Sequence, residues 1–217
     1  MSDSQNQDNV VLVIAAIKKV SVSSYELTFE TGPSFFISER YSGDLKISEI
    51  EAGDTFSGHK LDKLLNCALC YACEKAAFSY LERSEQNRFN LSLKLKKKGH
   101  EISVIDTVLD GLESEGYLSD SRFAEAWLRS RMSSHAEGKT KLISLLMQRG
   151  ISRKIAQDAV DEYFENVSEE EVLEKAVNKC IRLKFTKEKI QKRLLNDGFP
   201  SKLVYSYIKN LEILEKK

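Results

Sequence analysis

Between Tyr25 and Glu30 apolar and polar residues alternate, Tyr25-Glu26-Leu27-Thr28-Phe29-Glu30, which is the period of a strand with one buried face. The turn cluster Thr31-Gly32-Pro33-Ser34 separates this run from the apolar triplet Phe35-Phe36-Ile37. Val10 to Val20 is rich in β-branched residues, and a further short strand is expected near Asp54-Thr55-Phe56. Residues 10–60 therefore read as a small antiparallel β segment of about three or four strands, which needs packing on helices to be stable.

From about Leu61 the period becomes helical, with no further proline until Pro200. Three segments align on a glycine: Leu91 to Gly99, Leu142 to Gly150 and Ile190 to Gly198. Apolar residues stand eight and four positions before each glycine, and Leu109, Val160 and Ile208 stand ten after it. The glycines are 51 and 48 residues apart. Each marks a helix end, because glycine adopts the left-handed conformation cheaply. A second helix follows each one, with Ser152 as an N-cap in one case and Pro200 near the first turn in another.

A further amphipathic helix precedes each pair, over about 68–83, 121–132 and 169–184. Glu169-Glu170-Glu171 opens the last of these and Arg182 and Lys184 close it, as the helix dipole favours. The chain thus reads as mostly α: a small N-terminal antiparallel β segment, then three tandem three-helix, helix-turn-helix-like repeats in an elongated array. The expected boundaries are 1–9 for a disordered N-terminus, 10–60 for the β segment, and 61–118, 119–167 and 168–217 for the repeats. Phe89, Leu91, Leu95, Leu142, Leu146, Ile155 and Val160 are predicted core. Tyr117, Leu118, Phe123 and Trp127 have the spacing of core anchors, and Asp120 is expected to cap the helix that follows it.

Composition narrows the function classes. The 217 residues carry 33 basic and 33 acidic groups, which argues against a whole-protein electrostatic grip on nucleic acid. Residues 1–66 are net −4 and residues 67–217 net +4, so any such contact is local and C-terminal. No apolar run is long enough to cross a membrane, and the polar start lacks the basic region of a signal peptide; a cytoplasmic protein is expected.

Cys67, Cys70 and Cys73 stand three apart, with Cys180 far away. The spacing reads as a metal site or, more simply, as small residues on one helix face, since no nearby Cys or His completes a set. Neither metal nor cofactor is expected. There is no glycine-rich phosphate loop and no hydrolase motif, and His59, His100 and His135 lie in polar segments. No catalytic residue is assigned.

Charge is partitioned by helix. Arg88 to Gly99 holds five basic residues and no acidic one, whereas Glu101 to Gly116 holds five acidic and no basic ones. Such a partition reads either as solvated faces that pair with each other or as a basic surface for phosphate or an acidic partner. The basic candidates are Arg122, Arg129, Arg131, Lys139, Lys141, Arg149, Arg153 and Lys154, with Lys96, Lys97 and Lys98 in the first repeat.

The run Gly116-Tyr117-Leu118-Ser119-Asp120-Ser121-Arg122-Phe123-Ala124, with Trp127, Arg129 and Arg131 on the helix it opens, resembles the signature of the RecX family. Gly138-Lys139 with Arg149-Gly150-Ile151, Lys94-Leu95 before Gly99, and Leu194-Leu195 before Gly198-Phe199 continue that pattern, and the resemblance covers about residues 66–211. Where family members show a Ser and a Glu before the first Lys-Leu, this chain has Asn87 and Asn90. The resemblance implies a non-enzymatic, monomeric regulator that binds along a RecA recombinase–DNA filament. It would reduce ATP hydrolysis, strand exchange and co-protease activity in recombination and the DNA-damage (SOS) response, with weak local contacts to single- or double-stranded DNA. The alternative is a stand-alone helix-turn-helix DNA-binding protein. Against it, the second helices of the first two repeats carry Asp106, Asp110, Glu113, Asp158 and Asp161, which phosphates would repel.

Overall fold

The computed structural model describes residues 10–215, with side chains to residue 209. The disorder expected over 1–9 lies outside the described residues. Four strands are present: β1 Val11–Lys19, β2 Ser24–Phe29, β3 Phe35–Ser38 and β4 Thr55–Ser57. Nine helices follow among the described residues: α1 Gly58–Leu81, α2 Arg88–Lys97, α3 Ile102–Ser114, α4 Asp120–Met132, α5 Lys139–Met147, α6 Arg153–Glu165, α7 Glu169–Arg182, α8 Lys187–Asn196 and α9 Ser201–Glu215. The chain divides into two compact units, residues 1–83 with 92–115, and residues 84–91 with 116–217.

In the first unit the strands form an antiparallel sheet in the order β3-β2-β1-β4. The alternation read from β2 is realised: Tyr25, Leu27 and Phe29 are buried while the intervening residues are only half-buried. This inner face shares a core with Leu61, Leu64 and Cys67 of α1, the helical support that so small a sheet needs. The helix expected over 68–83 starts earlier, at Gly58, directly after β4. Its buried side recurs at helical spacing through Leu61, Leu64, Cys67, Cys70, Cys73 and Ala77. The cysteines are free and buried, and burial pushes the Cys67 thiol up to about 11 and the Cys73 thiol up to about 12. The Cys67 thiol donates to the Tyr41 carbonyl. Among the described residues no group of three or more His, Cys, Asp or Glu side chains could hold a metal ion. Buried Glu74 of α1 is paired with Arg40 and accepts from the Tyr41 hydroxyl at 2.9 Å.

The second unit holds α4 to α9 and the first turn of α2. Ser119, Ser152 and Ser168 cap α4, α6 and α7 by accepting from the backbone N–H groups of Arg122, Ile155 and Glu171. Two cores fill it. One lies around Ala124, Leu128, Leu142, Leu146 and Val160; the other lies around Leu173, Val177, Ile190, Leu194 and Phe199.

The repeat is most literal at the glycines. Gly99, Gly150 and Gly198 have φ of 92°, 88° and 84°, the left-handed region that ends a helix at little cost. After each one the same bond closes the turn: His100 N–H to Leu95 O, Ile151 to Leu146 and Phe199 to Leu194. The apolar residue four before each glycine is thus both a core side chain and the acceptor of the terminating bond.

Three expectations are corrected. Asp120 does not cap α4; Ser119 does, and the Asp120 carboxylate accepts instead from Arg88 N–H at 2.9 Å, at the start of α2. Tyr117 is 52% exposed, because the turn at Gly116, with φ 75°, sends it outward while Leu118 takes the buried place. Phe89 is 50% exposed; it sits on the first turn of α2 against the backbone of Gly150, and a Cβ on that glycine would lie 2.5 Å from the Phe89 Cβ. Leu91, Leu95, Leu142, Leu146 and Val160 are fully buried, whereas Phe123, Trp127 and Ile155 line the edge of their core half-buried.

Candidate partner-binding surface

The basic candidates fall into two groups by what already holds them. Arg131, at the end of α4, makes a two-pronged pair with buried Glu137, Nε to Oε2 at 2.8 Å and Nη2 to Oε1 at 2.9 Å. Lys141 lies 3.0 Å from Glu137 and 2.6 Å from Asp197, and Asp197 also accepts from Arg193 at 2.6 Å. Burial alone would raise the Glu137 carboxyl, but hydrogen bonds from Arg131 and Lys141 outweigh it and hold the group down at about 2. Arg131 and Lys141 are correspondingly raised. Their charges are spent inside the unit.

Three more candidates have intramolecular duties. The Arg149 guanidinium stacks over Trp127 at 4.6 Å and donates to the Leu145 carbonyl. Lys139 pairs with Asp161 at 3.0 Å and covers the Phe164 ring, so the basic and acidic helices of this repeat do pair with each other at one point. Arg122 pairs with Glu85 at 2.9 Å and donates to the Tyr117 carbonyl. In the first unit Lys98 lies over the Tyr80 ring.

The second group projects into solvent. Arg129 is 66% exposed and only loosely paired with Glu125, at 3.6 Å. Arg153 and Lys154 on the first turn of α6, and Lys96 and Lys97 on α2, are exposed. Arg153 borders an open groove between α5 and α6, lined also by Thr140, Ser144, Met147 and Gln148. A further basic row, Lys175, Lys179 and Arg182 of α7, faces the turn Ser133-Ser134-His135. Sequence reasoning missed it. The i, i+4, i+7 spacing was readable, but the approach of a turn some forty residues upstream was not.

The fold class is that of a helical-repeat protein presenting exposed cationic side chains, and among the described residues no group of three or more His, Cys, Asp or Glu side chains could hold a metal ion. The comparisons with known proteins agree. The second three-helix domain of RecX matches residues 119–160. The regulatory protein RecX of Treponema pallidum is 34% identical over 135 residues, spanning 62% of this chain and 82% of the relative. That of Streptococcus uberis is 26% identical over 192 residues, spanning 87% of this chain and 73% of the relative. A crystal structure of regulatory protein RecX superposes with a TM-score of 0.73 at 18% identity, over 92% of this chain and 99% of that one. RecX from Lactobacillus salivarius gives 0.58 at 22% identity, over 67% and 97%. The chain belongs to the RecX family of regulatory proteins, which is not a known enzyme family. No helix of the described residues is long and apolar enough to cross a membrane.

Proposed function

We propose that this protein binds a RecA recombinase–DNA filament in the cytoplasm, as a monomer, and restrains its ATP hydrolysis, strand exchange and co-protease activity. The observation that carries the reading is the 34% identity to a regulatory protein RecX over most of that relative. The contact set is the outward group, Arg129, Arg153 and Lys154, with Lys96 and Lys97. Arg131, Lys141 and Arg149 hold the scaffold that presents it. Residues 61–118, 119–167 and 168–217 act as three units, each making weak contacts that add through effective concentration on a repeating partner.

The test is single-stranded-DNA-dependent ATP hydrolysis by the cognate RecA, with the protein titrated in at substoichiometric amounts. Inhibition is expected, and Arg129→Glu/Arg153→Glu/Lys154→Glu should require about tenfold more protein, as the loss of a few exposed charge contacts predicts. No effect at any ratio, together with tight binding to bare duplex, would replace this reading with that of a stand-alone DNA-binding protein.

A further inference from the structure

An open depression of about 190 Å³ lies between the turn leaving α4 and the outer face of α7. Ser133, Ser134 and His135 form one wall and Lys175, Lys179 and Arg182 the other; Met132 and Ala136 complete it, and no acidic side chain lines it. The three cations recur at i, i+4 and i+7, so they share one helical face over about 10 Å of axis. All three are exposed. None makes an ion pair with a carboxylate among the described residues.

Glu137 and Asp197 line the adjoining depression, which shares His135, Ala136 and Lys179, but they are occupied by Arg131, Lys141 and Arg193. The carbonyls ending α7 favour nearby cations, which helps the fold tolerate like charges one turn apart. The cations are thereby left available to an outside anion. On the opposite wall the Ser133 hydroxyl donates to the Ser130 carbonyl at 2.8 Å and the Ser134 hydroxyl lies 2.8 Å from His135 Nδ1, so those hydroxyls are engaged within the turn and the charge for an anion comes from α7.

We propose that this groove holds the phosphodiester backbone of a nucleic-acid strand, without reading its sequence. A row of about 10 Å spans about three steps of the 3.4 Å axial rise of a duplex strand, so it is long enough to meet several successive phosphates. The lining offers three cations, groups that grip phosphate, and apart from the His135 imidazole no ring on which a base could stack. An acidic protein segment would be anchored by apolar side chains at the centre of its contact, and here only Met132 and Ala136 could receive them. The proposal extends the filament reading by naming where the nucleic acid is held. It is tested without recombinase, so the two can fail separately.

The experiment is fluorescence anisotropy of a labelled oligothymidine titrated with the full chain, between about 50 and about 200 mM salt. Lys175→Gln/Lys179→Gln/Arg182→Gln should bind about tenfold more weakly or worse, with a log–log salt slope shallower by about two. Lys18→Gln/Lys60→Gln/Lys202→Gln makes the same charge change at exposed positions that do not line the groove and should bind within about twofold of the parent. Circular dichroism checks that both variants fold. No binding by the parent, an unchanged first variant, or equal loss in both variants would each overturn the proposal. So would loss of poly-glutamate binding with oligothymidine affinity intact, which would assign the groove to an acidic protein.

Discussion

The start of α2 meets the end of α5 much as the start of α5 meets the end of α8, yet the two meetings are made of different chemistry. Asn87 and Gly138 each stand twelve residues before their own repeat glycine, and Arg149 and Asp197 each stand one before the next. In the first meeting the Asn87 side-chain amide donates to the Arg149 carbonyl at 2.6 Å, and Phe89 covers Gly150. In the second the backbone N–H of Gly138 donates to the Asp197 carbonyl at 2.8 Å, and a cluster of Glu137, Arg131, Lys141, Asp197 and Arg193 surrounds it. What repeats is a backbone relation, a helix start hydrogen-bonded to the last carbonyls of another helix. The side chains that secure it do not repeat. One meeting is neutral and the other is ionic, so they should answer differently to pH.

The largest effect is expected at Glu137. Glu137→Ala leaves Arg131 without its carboxylate and Lys141 with only one, and removing one partner of a buried pair costs about 3–5 kcal/mol. The folded carboxyl sits at about 2 against an ordinary 4.5, so its folded value is depressed. Its contribution is therefore complete above about pH 4.5 and is lost as pH falls toward 2, by up to about 3 kcal/mol. Urea unfolding of the parent across that window should show the loss, and the variant should show a flatter profile. A parent whose stability is level from pH 5 to pH 2 would mean that the cluster is not formed in solution.

A smaller effect tests the backbone half of the comparison. A Cβ on Gly138 would lie 2.3 Å from the Gly198 carbonyl oxygen. Backbone cannot swing aside as a side chain can, so Gly138→Ala should cost about 2–3 kcal/mol in urea unfolding. The φ of Gly138 is not in the left-handed region, so the loss is steric. A Gly138→Ala variant as stable as the parent would show that the two backbones do not touch.

These contrasts mark where the sequence was legible. Leu95, Leu146 and Leu194 could be placed in the core because a core position repeats its apolar character, and the glycines because only a left-handed turn requires them at a fixed spacing. The β2 alternation was equally open to reading. The charged positions were not. Arg131 and Arg129 are two residues apart on one helix, yet one is tied to buried Glu137 and the other faces solvent. That difference depends on a turn that brings Glu137 back to the helix end, and no local period encodes it. Asp120 was misassigned for the same reason: its partner, Arg88 N–H, lies thirty-two residues upstream. Phe89 and Tyr117 show the converse, for an aromatic residue at core spacing is turned outward when a neighbouring glycine or leucine takes the inner place.

The smallest expected effect sharpens the neutral meeting. Asn87 is fully buried and serves two helix ends at once: its Oδ1 accepts from Asn90 N–H at 3.1 Å, capping α2, while its Nδ2 donates to the Arg149 carbonyl just past the end of α5. Asn87→Ala removes a cap and leaves a carbonyl without its donor, for a loss of about 1–2 kcal/mol. Asn87→Ser keeps a capping oxygen and should recover most of the cap. Its shorter side chain reaches the Arg149 carbonyl less well, so part of the loss remains. Neither variant changes charge, so the loss measured by urea unfolding should be the same at pH 7 and near pH 3. A loss that grew in acid would mean that the start of α2 depends on an ionised carboxylate, either Asp120 on the Arg88 N–H or the Glu137 cluster, and the first meeting would then not be the neutral counterpart of the second. Asp120→Asn in the same background separates the two, since it removes the acid dependence only if Asp120 is its source.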